Sequence, residues 1–308
     1  MRTLHGKLIC LFLAALLCGA IICKADDAVC RTAHPVASAT VHGYLFRTYS
    51  NENEQQGCLK IFHQGKLVYS MAGDMVGYSL GLPAQPEYKI PGVANGTDLT
   101  GSGYPEMVVT GWSGGAHCCQ SRYVFVLAPV IHLAIELDDG DSELSHFVRL
   151  PNGHYDYSTS DETFAYWNAC FACSPMPSVM LAFATESGKT VAHLDLARMH
   201  KPAPTAVEWQ KSLRTARKAL HEQNPAADDP IFRTIDPAMW GEMLHYIYTG
   251  RAPLAWKLVD ASWPVNKPGK EAFLAAICGN LGKSVFWREL SASAEGQPPA
   301  CTHAAEEK

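Results

Sequence analysis

The side chains best placed to bind a ligand lie in one glycine-rich segment, residues 98–106, which reads DLTGSGYPE. Counting Asp98 as position 1, oxygen-bearing side chains stand at positions 1, 3, 5 and 9: Asp98, Thr100, Ser102 and Glu106. Tyr104 stands at position 7, where a backbone carbonyl could serve. Alternate side chains of a tight turn can converge on one ion, and calcium takes roughly six to eight oxygen ligands. The spacing predicts a calcium loop, and a weak one, because only two of these side chains are carboxylates.

A simpler interpretation of the same segment needs no ion. Asp98 could accept hydrogen bonds from the backbone of its own turn, as the aspartates of Asx-turns do. The sequence leaves both interpretations open.

A serine nucleophile is the second candidate. Gly111-Trp112-Ser113-Gly114-Gly115 matches the G-x-S-x-G pattern of a nucleophile elbow, and apolar residues precede it. An elbow has to open a helix, whereas the strand-like segment Tyr123–Leu127 follows shortly after. A hairpin turn is therefore the favoured explanation of these glycines, and an envelope serine hydrolase using Ser113 is the alternative.

The first 25 residues predict the compartment. Arg2 and Lys7 precede an uninterrupted apolar run over residues 8–23, which ends in Lys24-Ala25. This pattern is typical of a secretory signal peptide, and we expect cleavage after Ala25. The run is shorter than the roughly 20 residues that span a bilayer, although an uncleaved anchor is the alternative. We expect a secreted or periplasmic protein with no membrane span once the signal is removed.

Net charge excludes some partners. Removal of the signal takes away three of the 25 basic residues and none of the 30 acidic ones, so the formal charge becomes 22 − 30 = −8. Nucleic acids require a basic face, and anionic membrane surfaces attract polybasic segments. We therefore expect no nucleic-acid partner.

Cysteine count points to disulfide bonds. Of 11 cysteines, three fall in the signal segment, and 11 − 3 = 8 remain: Cys30, Cys58, Cys118, Cys119, Cys170, Cys173, Cys278 and Cys301. An even number in an oxidising compartment predicts disulfides. Chain proximity favours Cys30 with Cys58 and Cys278 with Cys301. The other four form a central group of open connectivity, in which we expect the Cys118-Cys119 hairpin to be joined to the Cys170–Cys173 segment.

The central cysteines also allow two other chemistries. His117, Cys118 and Cys119 together with Cys170 and Cys173 could form a tetrahedral zinc site. Cys170-Phe171-Ala172-Cys173 could instead be a redox dithiol, although Ser174-Pro175 disfavours the helix that such a motif needs. Structural disulfides remain the favoured interpretation.

The chain divides into β-rich and helical parts. Residues 26–204 predict an antiparallel β domain, either partial propeller-like or a sandwich, because short segments rich in β-branched and aromatic residues alternate with turn residues. These segments are Tyr44–Thr48, Leu59–Phe62, Lys66–Tyr69, Glu106–Thr110, Tyr123–Leu127, His132–Leu137 and Val179–Ala184. Residues 205–293 predict a helical bundle that begins at a capping box, Thr205 to Glu208. Residues 294–308 predict a tail.

One stretch resembles a known family. The run D-x-T-G-S-G-Y-P-E-M-V-V resembles the calcium loop and strand of FG-GAP or VCBS-type repeats, which build integrin-α-like propellers. Its continuation W-S-G-G-A-H-C-C is similar to a signature of uncharacterised secreted bacterial proteins related to those repeats. In the repeats, aspartates fill positions 1, 3, 5 and 9, whereas Thr100 and Ser102 replace two of them here. The resemblance implies a partial propeller-like domain and no established activity.

These observations converge on an expected role. We expect a non-catalytic binding or structural module of the cell envelope, with calcium as its one candidate cofactor. The partner would be an unknown protein or envelope ligand. The alternatives are the hydrolase using Ser113 and the zinc or thiol-redox protein using His117 and the central cysteines.

Overall fold

A computed structural model describes residues 33–51, 55–73, 75–115, 119–142, 144–293 and 301. It confirms the α+β class, with an antiparallel β part followed by helices. The β part consists of three four-stranded antiparallel sheets, each formed by four strands consecutive in the chain. Among the described residues, no helix has the length and apolar character needed to cross a bilayer.

The three sheets share one up-and-down topology. Sheet I contains β1 (His34–Val41), β2 (Tyr44–Asn51), β3 (Gln56–His63) and β4 (Lys66–Ala72). Sheet II contains β5 (Gly77–Leu80), β6 (Glu106–Trp112), β7 (Gln120–Val126) and β8 (His132–Gly140). Sheet III contains β9 (His146–Arg149), β10 (Tyr155–Ser160), β11 (Ser178–Glu186) and β12 (Lys189–Leu194).

Tight turns set the register of several strand pairs. Gln64 and Gly65 join β3 to β4, and both have positive φ angles, 49° and 76°. Two-residue hairpins of this type need positive φ at both positions. The hairpin expected at Gln64-Gly65 is therefore confirmed, and His42-Gly43 and Ser187-Gly188 make equivalent turns with positive φ at both residues.

Sheet II is the middle layer of the β part. Met107, Val109 and Phe125 on one face belong to a buried cluster with Phe46 and Ile61 of sheet I. Their neighbours Val108 and Val124 face the other way, in a cluster with residues of sheet III and the helices. Successive side chains of a strand point to opposite faces, so a strand buried on both faces reads as a continuous apolar run. This explains why strands β6 and β7 can be predicted from the sequence.

Six of the seven predicted strand segments lie within longer strands, the seventh, Tyr123–Leu127, extends one residue past the end of β7, and five strands were missed. The missed strands are β1, β5, β9, β10 and β12. β1 is exposed along most of its length, and β10 reads YDYSTS, so neither shows an apolar pattern. In β10 the buried positions are polar residues that find partners in the folded chain, which local sequence cannot indicate.

In the part of the chain from residue 33 to residue 293, six helices follow the sheets. They are α1 (Leu196–Met199), α2 (Ala206–Ala219), α3 (Ala238–Tyr248), α4 (Ala252–Ser262), α5 (Lys270–Leu281) and α6 (Trp287–Ser293). The predicted capping box forms at α2, where Thr205 accepts from the Glu208 amide and the Glu208 side chain accepts from the Thr205 amide. Gly250, with φ of 71°, follows the end of α3, as predicted.

The hydrophobic core runs across the predicted boundary at residues 204 and 205. One buried cluster joins Phe147 and Tyr157 of sheet III to Trp240 of α3 and Phe273 of α5. The sheets and helices therefore share a core rather than burying their apolar faces separately.

A buried carboxylate ties the helices to sheet III. Asp161, directly after β10, is 3% exposed. One of its oxygens accepts hydrogen bonds from the hydroxyls of Tyr248 and Ser284. The other accepts the Thr163 amide at 2.9 Å. Burial and the nearby Asp161 charge raise the pKa of Tyr248 well above its usual value, so this phenol remains a donor at any physiological pH.

A buried ion pair ties sheet II to sheet III. Arg122 on β7 and Asp139 on β8 are 5% and 2% exposed, and Arg122 Nε lies 2.7 Å from Asp139 Oδ2. The Tyr157 hydroxyl of β10 donates to the other Asp139 oxygen at 2.6 Å. Because both side chains are buried, water cannot take the place of either partner, so each charge depends on the other.

Arg122→Ala should be strongly destabilising. It leaves the Asp139 carboxylate buried without its cation, which costs about 3–5 kcal/mol in comparable pairs. Lys218→Ala is the matched control, because Lys218 lies 3.2 Å from Glu222 on an exposed helix face, and such pairs contribute about 0.3–0.5 kcal/mol. Urea unfolding with disulfides intact measures both. Equal losses in the two variants would contradict the structural role of Arg122.

Candidate functional site

The predicted calcium loop is an ordered turn at the start of β6. Glu106 is the first residue of that strand and is 1% exposed, and Thr100 is 7% exposed. Gly101 and Gly103 have φ angles of 75° and 78°, in the region that favours glycine. The two glycines allow the chain to fold back so that residues 98–102 surround the Glu106 carboxylate.

Glu106 accepts four hydrogen bonds from this loop. Its Oε2 accepts the backbone amides of Leu99 at 2.9 Å and Thr100 at 3.1 Å. Its Oε1 accepts the hydroxyls of Thr100 and Ser102, the latter at 2.8 Å. Burial raises the pKa of Glu106, and these hydrogen bonds oppose that rise. The carboxylate is therefore the centre on which the loop is built.

Asp98 holds the tip of the same loop. Its Oδ1 accepts the Ser102 amide and its Oδ2 accepts the Gly103 amide, both at 2.9 Å. The interpretation of Asp98 as a carboxylate that caps its own turn is thus confirmed.

Several oxygens of the loop also lie close to one another. Ser102 Oγ lies 3.4 Å from Asp98 Oδ1, 3.4 Å from the Tyr104 carbonyl and 2.8 Å from Glu106 Oε1. Thr100 donates to the same Glu106 oxygen. An all-oxygen set suits calcium. In this arrangement, however, the hydroxyls of Thr100 and Ser102 donate hydrogen bonds to the Glu106 carboxylate. The donor set fits a weakly held calcium ion that would compete with the loop's own hydrogen bonds.

No larger metal-binding group stands out. Within the part of the chain that the structure describes, no three His, Cys, Asp or Glu side chains are grouped as a metal site would require. The loop at 98–106 supplies only two carboxylates, with hydroxyls and a carbonyl as its other oxygens.

Ser113 lies in a hairpin, as favoured from the sequence. β6 and β7 pair antiparallel on either side of it. The Ser113 amide donates to the Cys119 carbonyl at 3.0 Å, and Ser113 Oγ accepts the Cys119 amide at 2.8 Å. Gly114 and Gly115 have φ angles of 88° and 93°, which the turn requires. A nucleophile elbow connects a strand to a helix, and this strand–turn–strand arrangement differs from it.

Two disulfides join cysteines that the structure describes. Cys278 bonds to Cys301, as chain proximity predicted. Cys170 bonds to Cys173, with Cα atoms 5.1 Å apart. The expected link from this segment to the Cys118-Cys119 hairpin is therefore wrong. A 3₁₀ turn at Phe171–Cys173 brings the two cysteines within disulfide range of each other.

Only some of the other cysteines are described by the structure. Cys58 and Cys119 are each in a disulfide. Cys30, His117 and Cys118 lie outside the described residues, so the predicted Cys30–Cys58 pair stays a prediction. A disulfide sulfur is not a thiolate, and zinc is bound by thiolates, so Cys119, Cys170 and Cys173 are not available as zinc ligands in this state.

A cleft that sequence reasoning missed lies between sheet III and α3; we call it the junction cleft. Its volume is about 530 Å³, within the roughly 300–1,000 Å³ of small-molecule sites. Apolar side chains and two cations line it: Pro175, Met176, Met180, Met199, Leu244, Arg198 and Lys201. These residues come from three separate stretches of chain, so no local motif indicates the cleft.

Comparison of the chain with protein-family models, with curated proteins and with solved structures finds no match. The resemblance to FG-GAP or VCBS-type repeats thus rests on the residues of the loop and its strand.

Placing carboxylates at positions 100 and 102 should create a strong calcium site. In Thr100→Asp/Ser102→Asp, four carboxylates would converge, so the melting temperature should fall by several degrees in chelator through charge repulsion. Millimolar calcium should recover it fully. The control Thr100→Asn/Ser102→Asn has similar shape without the charge and should not respond. Thermal unfolding, monitored by circular dichroism, measures these melting temperatures. If calcium left the melting temperature of the aspartate variant unchanged, these side chains would not converge on one ion.

Thiol titration tests the cysteine assignment. Eight cysteines follow residue 25, and six of them are disulfide-bonded in the structure, so 8 − 6 = 2 is the upper limit for free thiols. Denatured, unreduced protein should therefore release at most two equivalents of chromophore from an aromatic disulfide reagent, and eight after reduction. Four or more before reduction would contradict the local pairing.

Proposed function

We propose that the protein is a non-catalytic binding or structural module exported to the periplasm or the cell exterior. Disulfides at Cys170–Cys173 and Cys278–Cys301 support an oxidising compartment. In this proposal residues 1–25 are the signal peptide, and the partner is a protein or ligand of the cell envelope.

The arrangement of loop 98–106 carries the proposal. Its oxygens converge in the manner of a calcium loop, while its carboxylates are also held by the loop's own donors. Such a loop stabilises the start of β6, and an ion bound there has a structural role. The hairpin that holds Ser113 supports the non-catalytic interpretation, because Ser113 Oγ accepts a backbone hydrogen bond within the turn.

Calcium is the proposed cofactor, bound weakly. Extracellular calcium modules have Kd values of about 10⁻⁴–10⁻³ M, and two carboxylates place this loop at the weak end. The resemblance to FG-GAP or VCBS-type repeats supports the same assignment.

Calcium should raise thermal stability modestly. At a calcium concentration about ten times a millimolar Kd, binding adds roughly 1.4 kcal/mol, which corresponds to about 3 °C in melting temperature. Asp98→Asn should abolish the response, because it removes one of the two carboxylates. Calorimetry in chelator and in 10 mM calcium measures the shift, with 10 mM magnesium as the ion control.

Asp138→Asn is the matched variant for this test. Asp138 is exposed, and its Oδ1 accepts the Gly140 amide at 3.0 Å, so the substitution makes the same chemical change at a carboxylate that does not belong to the loop. Asp138 and Gly140 belong to strand β8, outside loop 98–106, so this variant should retain the calcium response in full. No shift in the unmodified protein, or an equal loss in both variants, would remove calcium from the proposal.

A further inference from the structure

Apolar and polar side chains both line the junction cleft. Met180 belongs to β11 of sheet III, Met199 to α1 and Leu244 to α3, and Met176 lies between two prolines. The uncharged polar residues of the lining are Ser158, Ser178, Tyr248 and Thr249. Methionine is flexible and polarisable, so a wall rich in it adapts to hydrocarbon of varied shape. The methionine-rich part of the lining therefore suits an aliphatic chain.

Cations stand at the mouth of this apolar space. Lys201 and His245 line both the junction cleft and a neighbouring cleft on the helical side. Arg198 Nε lies 3.1 Å from the buried Asp156 carboxylate, which balances its charge. Within the described residues no ion pair involves Lys201, so Lys201 supplies the net positive charge at the mouth.

The backbone of Lys201 is held firmly in place. Its amide donates to the Thr249 carbonyl at 3.1 Å, and its carbonyl accepts Arg251 Nε at 2.9 Å. Both partners follow the C-terminus of α3. The Lys201 side chain therefore starts from a fixed backbone position beside the cleft.

The charge pattern of the cleft is opposite to that of the whole chain. The chain has a formal charge of −5, yet among the described residues that line the junction cleft there is no carboxylate. Glu208 and Glu242 line only the neighbouring cleft. A cation at the edge of an apolar space, in an otherwise acidic molecule, selects a ligand with one anionic head and a hydrocarbon tail.

We propose that the junction cleft binds a single-chain amphipathic anion, such as a medium-chain fatty acid. The carboxylate lies against Lys201 and His245, and the chain runs along Met180, Met199 and Leu244. This inference deepens the proposed binding role and does not depend on calcium at loop 98–106.

Calorimetric titration with decanoate at pH 7.5 tests the proposal. We expect one saturable site. Affinity should rise from hexanoate to octanoate to decanoate by roughly fourfold per methylene at most, because each buried methylene makes the free energy of transfer from water more favourable. Decanol keeps the chain and loses the charge, and should bind at least tenfold more weakly. Acetate keeps the charge and loses the chain, and should not bind detectably.

Two substitutions locate the site. Lys201→Glu reverses the charge at the mouth, and Met176→Asp places a carboxylate in the apolar wall, so each should weaken decanoate binding at least tenfold. Lys218→Glu, on the exposed face of α2, reverses an equivalent charge outside either cleft and should leave binding unchanged. Circular dichroism and an unchanged melting temperature confirm that each variant is folded.

The outcomes separate this inference from the proposed function. Decanol binding as tightly as decanoate, or Lys201→Glu binding as well as Lys218→Glu, would overturn the ligand class. Absence of decanoate binding at millimolar concentration would overturn it as well. In each case an intact calcium response that Asp98→Asn abolishes leaves the binding or structural module of the previous section standing.

Discussion

Burial of sheet II on both faces is the constraint on which the structure depends. Sheet I covers one face of β6 and β7, and sheet III with the helices covers the other. A polar group inside such a layer has to be paired, because an unpaired buried charge costs far more than one hydrogen bond contributes. Glu106, Arg122 and Asp139 are the charged residues of this sheet below 9% exposure, and each has its partners.

This constraint explains why the loop before β6 takes its form. Glu106 enters the buried layer as the first residue of the strand, so four donors have to reach it. Thr100 and Ser102 supply two of them as hydroxyls. An aspartate at either position would bring a further charge and no hydroxyl donor, and would need a cation in compensation. With hydroxyls at both positions, the loop closes through its own hydrogen bonds.

The sequence predicts those elements whose contacts are made between residues close together in the chain. Strands buried on two faces, such as β6 and β7, and the capping box at Thr205 depend on near neighbours and were predicted. The convergence of loop 98–106 was predicted from spacing, because its members lie within nine residues. β10 and the junction cleft were missed, because Asp156, Met199 and Lys201 obtain their roles from contacts with residues far away in the chain.

The Cys278–Cys301 bond has a consequence for how this molecule would break. Cys301 is fully buried and joined to α5, so the last described residue is anchored by a covalent link besides the peptide chain. A protease that cut any peptide bond between these two cysteines would produce two fragments that remain one molecule. Such a cut would be invisible on a non-reducing gel and would appear only after reduction, so the chain end is protected from loss even where its backbone is severed.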